Sequence, residues 1–159
     1  MTMTSYLISQ EWADKNFVLN KVKENGSALQ YASNALTNDK EVVLAAVQKW
    51  GGALEYVSNV FKNDKEVVLA AVQQYGQALK YASEEMNNDK EVVLAAVQKH
   101  GYALQWASNE LRNDKEVVLA AVQQDGAVLN FASEALRNDT QFVLSLKHFL
   151  KPAKKRMRK

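Results

Sequence analysis

A chain of 159 residues is the length of one ordinary domain, and a hydrophobic share of 47% is normal for a folded one. The absence of Cys excludes a disulfide framework, a thiolate nucleophile and a Cys-based zinc site, and accords with a reducing compartment. The net charge of +2 conceals a division, because Lys151, Lys154, Lys155, Arg156, Arg158 and Lys159 crowd the C-terminus and leave residues 1–150 net acidic.

In chain order, residues 1–12 lack a basic start followed by a long apolar run, so no secretory signal is expected there. Tyr6 and Leu7 align with Tyr31 and Ala32 further on. Residues 4–12 therefore read as an orphan second helix, and residues 1–13 as an N-terminal cap.

Residues 14–138 are dominated by repetition, which takes precedence over any local reading. The run NDKEVVLAAVQ stands at Asn38–Gln48, Asn63–Gln73, Asn88–Gln98 and Asn113–Gln123, letter for letter, with weaker copies from Asp14 and Asp139. Gly26, Gly51, Gly76, Gly101 and Gly126 keep the same 25-residue period, as do Tyr6, Tyr31, Tyr56, Tyr81, Trp106 and Phe131. A fainter period of 50 shows in the alternation of Lys49, Gln74, Lys99 and Gln124, and of Asn59, Glu84, Asn109 and Glu134. It suggests growth by duplication of a pair of units.

Each unit reads as two short helices. Asn38 followed by Glu41 fits a capping box. Asp39 fits equally well, either as the cap itself or as a first-turn anion, and the sequence does not choose. The apolar residues from Val42 to Val47 go all the way round a helix, as expected for one buried on several sides. The β-branched pair Val42–Val43 would also suit a strand, but the run does not alternate and is about a dozen residues from cap to Gly. Gly51 and its equivalents are expected to end this helix in the left-handed conformation, where Ala would cost about 1 kcal/mol. A second helix is expected from about Ala53 to Lys62. In the first unit it places Ala28, Leu29, Tyr31, Ala32 and Leu36 on one arc and Gln30, Ser33, Asn34 and Thr37 opposite. Glu85 and Glu110 take the place of Ala35 at the margin of the arc and are expected to be partly exposed.

Beyond the units, Thr140 and Gln141 replace Lys and Glu, and Ser145, Lys147 and His148 interrupt the apolar run. Residues 139–150 read as a C-terminal capping helix stopped by Pro152. Residues 151–159 read as a basic tail, expected to be disordered.

A two-helix unit this short cannot bury its own faces, whereas stacking on neighbours does so. The expected fold is all-α: an α-solenoid of about five stacked 25-residue hairpins with terminal capping helices, some 45–50 Å long at about 9–10 Å per layer. The sequence Asp-Lys-Glu-Val-Val-Leu-Ala-Ala-Val-Gln, then Gly, then Ala-Leu-x-Tyr-Ala-Ser, resembles the repeat known as domain of unknown function 4116, over about residues 14–146. The resemblance implies a helical-repeat protein of the kind met in bacteria and in large viruses of protist hosts. It implies no activity and carries over no site residues.

Candidate sites follow from where the units differ. Asn25, Trp50, Tyr75, His100 and Asp125 precede each hairpin Gly, and Ser27, Gly52, Gln77, Tyr102 and Ala127 follow it. Turns of a solenoid line up, so Trp50, Tyr75, His100 and Tyr102 are expected to form an exposed ridge, of the residue types favoured at binding hot spots. The simpler reading is that turn positions are unconstrained. The aromatic series Tyr6 to Phe131 is read as core rather than as a stacking ladder. The stripe Gln30/Asn34/Thr37, Glu55/Asn59/Lys62, Lys80/Glu84/Asn87, Gln105/Asn109/Arg112 and Asn130/Glu134/Arg137 reads as a solvated face, with a polar interface as the sharper option. Ser33, Ser58, Ser83, Ser108 and Ser133 have no base beside them and read as small hydroxyls between helices. The repeated Asp residues read as caps, and His100 and His148 do not suggest a metal site.

The functional expectation is a non-enzymatic scaffold binding a protein partner through the ridge or the helix faces, with no cofactor or metal, in the cytoplasm. The alternatives are a nucleic-acid binder helped by the tail, and a structural or self-assembling array, natural, recently duplicated or engineered. Lys155-Arg156-Met157-Arg158 resembles a nuclear-import cluster, and such tracts also touch nucleic acid and anionic lipid. No apolar stretch approaches the roughly 20 residues of a membrane span.

Overall fold

The computed structural model describes residues 10–150. Its frame is five α-helices of 10 residues each, Lys15–Glu24, Lys40–Lys49, Lys65–Gln74, Lys90–Lys99 and Lys115–Gln124, which pack side by side as one layer. The 3-10 segments Gly26–Tyr31, Gly51–Glu55, Gly76–Tyr81, Gly101–Trp106 and Gly126–Phe131 stack as a second layer behind them. No strand occurs among the described residues. The molecule is an all-α tandem-repeat array.

Asp rather than Asn starts each long helix. Asp39 Oδ1 accepts from the N–H groups of Glu41 and Val42, and Asp64 and Asp114 repeat the arrangement. These are the donors that a helix N-terminus leaves without partners. Val42, Val43, Ala46 and Val47 are then fully buried, while Leu44 and Ala45 are half-buried, so the all-round apolar run reflects a helix covered by both neighbouring units and the second layer. Leu29, Leu54, Leu79 and Leu104 supply the largest fully buried side chains of that second layer.

Three expectations need correction. The second helix is not continuous. A 3-10 segment runs to the aromatic residue, the chain then passes through extended residues such as Ala82 (φ −70°, ψ 163°), and only a short turn such as Glu84–Asn87 follows. Ser is the cause: it opens the final turn as an N-cap, and Ser83 Oγ accepts from the Met86 N–H. The C-terminal helix spans only Thr140–Ser145, well short of Pro152. Ser145 Oγ donates back to the Phe142 carbonyl at 2.6 Å, and turns take over.

The third correction concerns glycine. No Gly among the described residues has a positive φ. The reason for Gly is space. A Cβ on Gly51 would lie 2.1 Å from the Ala71 carbonyl oxygen of the next unit, and one on Gly76 would lie 2.3 Å from that of Ala96. The segments opening at Gly26, Gly51, Gly76 and Gly101 are pressed against the last turn of the following helix, where only hydrogen fits, and Gly126 meets the Phe149 carbonyl beyond the last helix.

Two polar ladders join the units. Lys40 Nζ lies 2.9 Å from Asp64 Oδ2 and 2.7 Å from Glu66 of the next unit, and Lys15, Lys65 and Lys90 make the same pair of contacts. Each Asp thus caps its own helix with one oxygen and receives the preceding unit's lysine on the other. At the C-terminal end Gln141 stands where Glu would be, and Lys115 meets Asp139 alone. On the other edge the Ser58 N–H donates to the Thr37 carbonyl at 3.0 Å and the Ser58 hydroxyl donates to Asn38 Oδ1 at 2.8 Å. Ser83, Ser108 and Ser133 repeat both bonds, to Asn63, Asn88 and Asn113 through the hydroxyl. Sequence reading offered Asn38 as a cap; it is a clip between units.

Candidate binding surface

The residue before each Gly is the C-cap of a long helix, held in extended conformation with its N–H bonded to the carbonyl four residues back. This puts Trp50, Tyr75 and His100 at equivalent positions of successive units. Tyr75 and His100 touch edge to face, with ring centres 5.5 Å apart, and His100 Nδ1 accepts from the Gly76 N–H at 3.1 Å. Both are half-buried. Trp50 is 38% exposed and lies over its own turn. Its ring covers Gly52, which a Cβ would displace, and its centre is 6.4 Å from that of Tyr56. Tyr102 is 41% exposed and meets Phe131 of the next unit at 5.8 Å. Of the four predicted ridge residues, the structure brings Tyr75 and His100 into contact, while Trp50 and Tyr102 pair with members of the aromatic series.

That series is not uniformly core. Tyr56, Tyr81 and Phe131 are half-buried against the core, but Tyr31 is 61% exposed and Trp106 is 40% exposed. Tyr31 rests on Trp12, with centres 5.2 Å apart. Lys80 Nζ stands 4.4 Å from the centre of the Tyr81 ring, the geometry of a cation–π contact. Proximity to Tyr81 holds the Lys80 pKa above its usual value.

Next to Trp106 is an open cleft lined by Glu84, Asn87, Trp106, Ala107, Ser108 and Asn109. It lies where the chain leaves the 3-10 segment and turns at Ser108, against the short turn of the preceding unit. Asn87 Oδ1 is buried beneath the surface without a hydrogen-bond partner, and so is Nε of Arg112, the equivalent residue of the next unit. Sequence reading missed this cleft. Its rim residues were present in the polar stripe, but Trp106 was assigned to the core on the arc of a continuous helix. Glu85 and Glu110 are exposed, and Glu85 accepts from Asn63 at 2.9 Å.

The charges at the N-terminal turns of the long helices are paired between units. Lys15, Lys40, Lys65 and Lys90 have raised pKa values because each hydrogen-bonds an Asp and a Glu. Asp39 is lowered, chiefly by Lys15. At Asp64, Asp89 and Asp114 burial works against ionisation, and the lysine and helix N–H groups outweigh it. Asp139 is lowered by Lys115 and the Phe142 N–H.

The model of one family, described as a domain of unknown function (DUF4116), matches residues 14–62, 39–87, 64–112, 89–137 and 114–146. The chain belongs to this family. The DUF4116 matches begin 25 residues apart, and all but the last take in about two structural units, so they overlap along the array. No curated protein and no solved structure matches the chain. In this DUF4116 array the repeated serines and aspartates are joints and caps, as described above. Among the described residues no group of three or more His, Cys, Asp and Glu could hold a metal ion, and no helix is long and apolar enough to cross a membrane. Lys151, Lys154, Lys155, Arg156, Arg158 and Lys159, with Tyr6 of the aromatic series, lie outside the described residues.

Proposed function

We propose that this DUF4116 array is a non-enzymatic, intracellular scaffold that binds a protein partner through the aromatic residues of its turn edge and the adjoining turn face. The observation that carries this reading is the exposure of Trp50 and Tyr102, at 38% and 41%: the Trp50 ring lies on its own turn, and Tyr102 stays open to solvent although it touches Phe131 of the next unit. Rigid aromatic side chains on a stacked frame bury large areas on binding at small entropic cost. Nucleic-acid binding by the body of the array is disfavoured by the ion pairs. Lys15, Lys40, Lys65, Lys90 and Lys115 are all engaged with carboxylates, and phosphate contacts need free cations.

The test is capture of partners from a host lysate by the full chain and by a Trp50→Ala, Tyr75→Ala, Tyr102→Ala triple variant. Partners retained by the first and lost by the second, with helical content unchanged, support the reading. Identical capture by both removes the ridge from it.

A further inference from the structure

The aromatic column behind the turns contains its own precedent for a ligand. At Tyr81 the seat is filled from within, because Lys80 lies over the ring at 4.4 Å. One unit later Gln105 replaces Lys80, and its amide donates to the Tyr102 carbonyl at 3.1 Å. Among the described residues no cation stands over Trp106, although indole is the best face for one. The ring stays 40% exposed in a cleft that it shares with Glu84. An open π face beside a carboxylate calls for a guest that is cationic, flat and able to donate sideways while it stacks.

We propose that the Trp106 cleft takes the arginine side chain of a partner protein's exposed segment. The guanidinium stacks on the indole and donates to the Glu84 carboxylate. Arginine fits better than lysine because its planar fork offers several donors while one face remains free to stack. This site rests on the scaffold reading for its biological sense but shares no residue with the edge formed by Trp50, Tyr75 and His100.

The full chain, isotopically labelled, is titrated with acetyl-Gly-Ala-Arg-Ala-Gly-amide and with the same peptide carrying neutral citrulline, while the three indole N–H resonances are followed. The expected result is a saturable shift of the Trp106 indole with the arginine peptide only. Glu84→Gln should weaken it about tenfold, and Gln105→Lys, which rebuilds the Lys80–Tyr81 arrangement, by a similar factor. Glu110→Gln, an exposed acid elsewhere on the same unit, should leave it unchanged. Glu84 and Glu110 are exposed, and at half-buried Gln105 the change restores the lysine that the preceding unit already carries, so folding is not at stake. Equal response to citrulline, no response at Trp106, or indifference to Glu84→Gln and Gln105→Lys overturns the proposal. So does a response seen only when Lys154, Lys155, Arg156 and Arg158 are changed to Gln, because the occupant would then be the chain's own basic segment. If lysate capture depends on the ridge while this titration fails, the scaffold reading stands and this site falls.

Discussion

The role given to glycine can be tested by a neighbouring pair. In Gly51→Ala the new Cβ would lie 2.1 Å from the Ala71 oxygen, 3.0 Å from the Tyr75 nitrogen and 3.1 Å from the Ala71 carbonyl carbon. Ordinary contact begins at 3.4 Å, and every one of these atoms is backbone. Relief requires the unit step itself to widen, which loosens the fully buried contacts of Val42, Val43, Ala46 and Val47. Overpacking costs about 1–3 kcal/mol, and immovable neighbours place Gly51→Ala at about 3 kcal/mol. In Gly52→Ala the Cβ meets Trp50 ring atoms at 2.3, 2.5 and 2.8 Å, a similar intrusion on paper. That ring belongs to a side chain 38% exposed, and it can swing away. Neither Gly has positive φ, so backbone strain does not separate the two. Gly52→Ala should therefore change stability by less than about 1 kcal/mol in either direction, since the unfolded chain also loses freedom. It should shift Trp fluorescence as Trp50 becomes more exposed. Thermal unfolding followed by circular dichroism gives the comparison, with Gly51→Ala expected about 6–12 °C lower in midpoint. A neutral Gly51→Ala, or equal losses at both sites, would refute the close-approach argument.

The carboxylate–lysine ladder predicts a stability plateau with two edges. Asp39, Asp64, Asp89, Asp114 and Asp139 have folded pKa values below their usual 3.8, so their contribution is present above that value and lost as pH falls through and below it. Lys15, Lys40, Lys65 and Lys90 lie above 10.5, so theirs is present below that value and lost as pH rises past it. Urea midpoints at pH 7 should exceed those at pH 3 and pH 11, with molar salt trimming the difference because the lysines are 42–46% exposed. Ser83→Ala should destabilise more than Ser58→Ala, because Ser83 both clips Asn63 and caps Met86 whereas Ser58 only clips Asn38. Each lost bond is worth about 0.5–1.5 kcal/mol in urea titration. Excising residues 64–88 joins Asn63 to Asp89 and should give a shorter, cooperatively folded helical chain. Lys40 then meets Asp89 and Glu91, and Gly51 meets the Ala96 carbonyl. A molten product would mean that the units are not interchangeable.

The long helices, the period and the stacking were legible in the sequence because each rests on short-range rules: a cap, an apolar run and a Gly at fixed distance. The second element was misread because its residues look helical one by one. Ala53 to Lys62 carries helix formers and an amphipathic pattern, yet Ser58 satisfies its N–H and its hydroxyl on the preceding unit. A hydrogen bond that depends on a neighbour still to be packed leaves no local mark. The residues before the break wind as a 3-10 helix, at three residues per turn rather than 3.6, so Trp106 at its end is not where a continuous α-helix would put it and stays 40% exposed. The glycines were found for the right reason of position and the wrong reason of conformation. A turn and a close approach both require the missing Cβ, and only the fold says which. The ridge was visible as variation between units, but that Trp50 lies on Gly52 while Tyr75 meets His100 depends on side-chain partners one unit apart.

Comparison among the units separates joints from surfaces without any other sequence. Asp, Lys, Gly and Ser recur at one spacing, and each has been traced to a bond or a contact across a unit boundary. Where the units diverge, at Trp50/Tyr75/His100, at Gly52/Gln77/Tyr102 and at Lys80/Gln105, the side chains mostly face the turn edge or the turn face and mostly leave the joints intact. Divergence confined to such positions costs the array little stability, because surface changes are worth only a few tenths of a kcal/mol. A frame of this kind can change what it recognises one unit at a time. The exchange of Lys80 for Gln105 is one such change: it leaves the stacking untouched and turns a self-occupied aromatic seat into an open one.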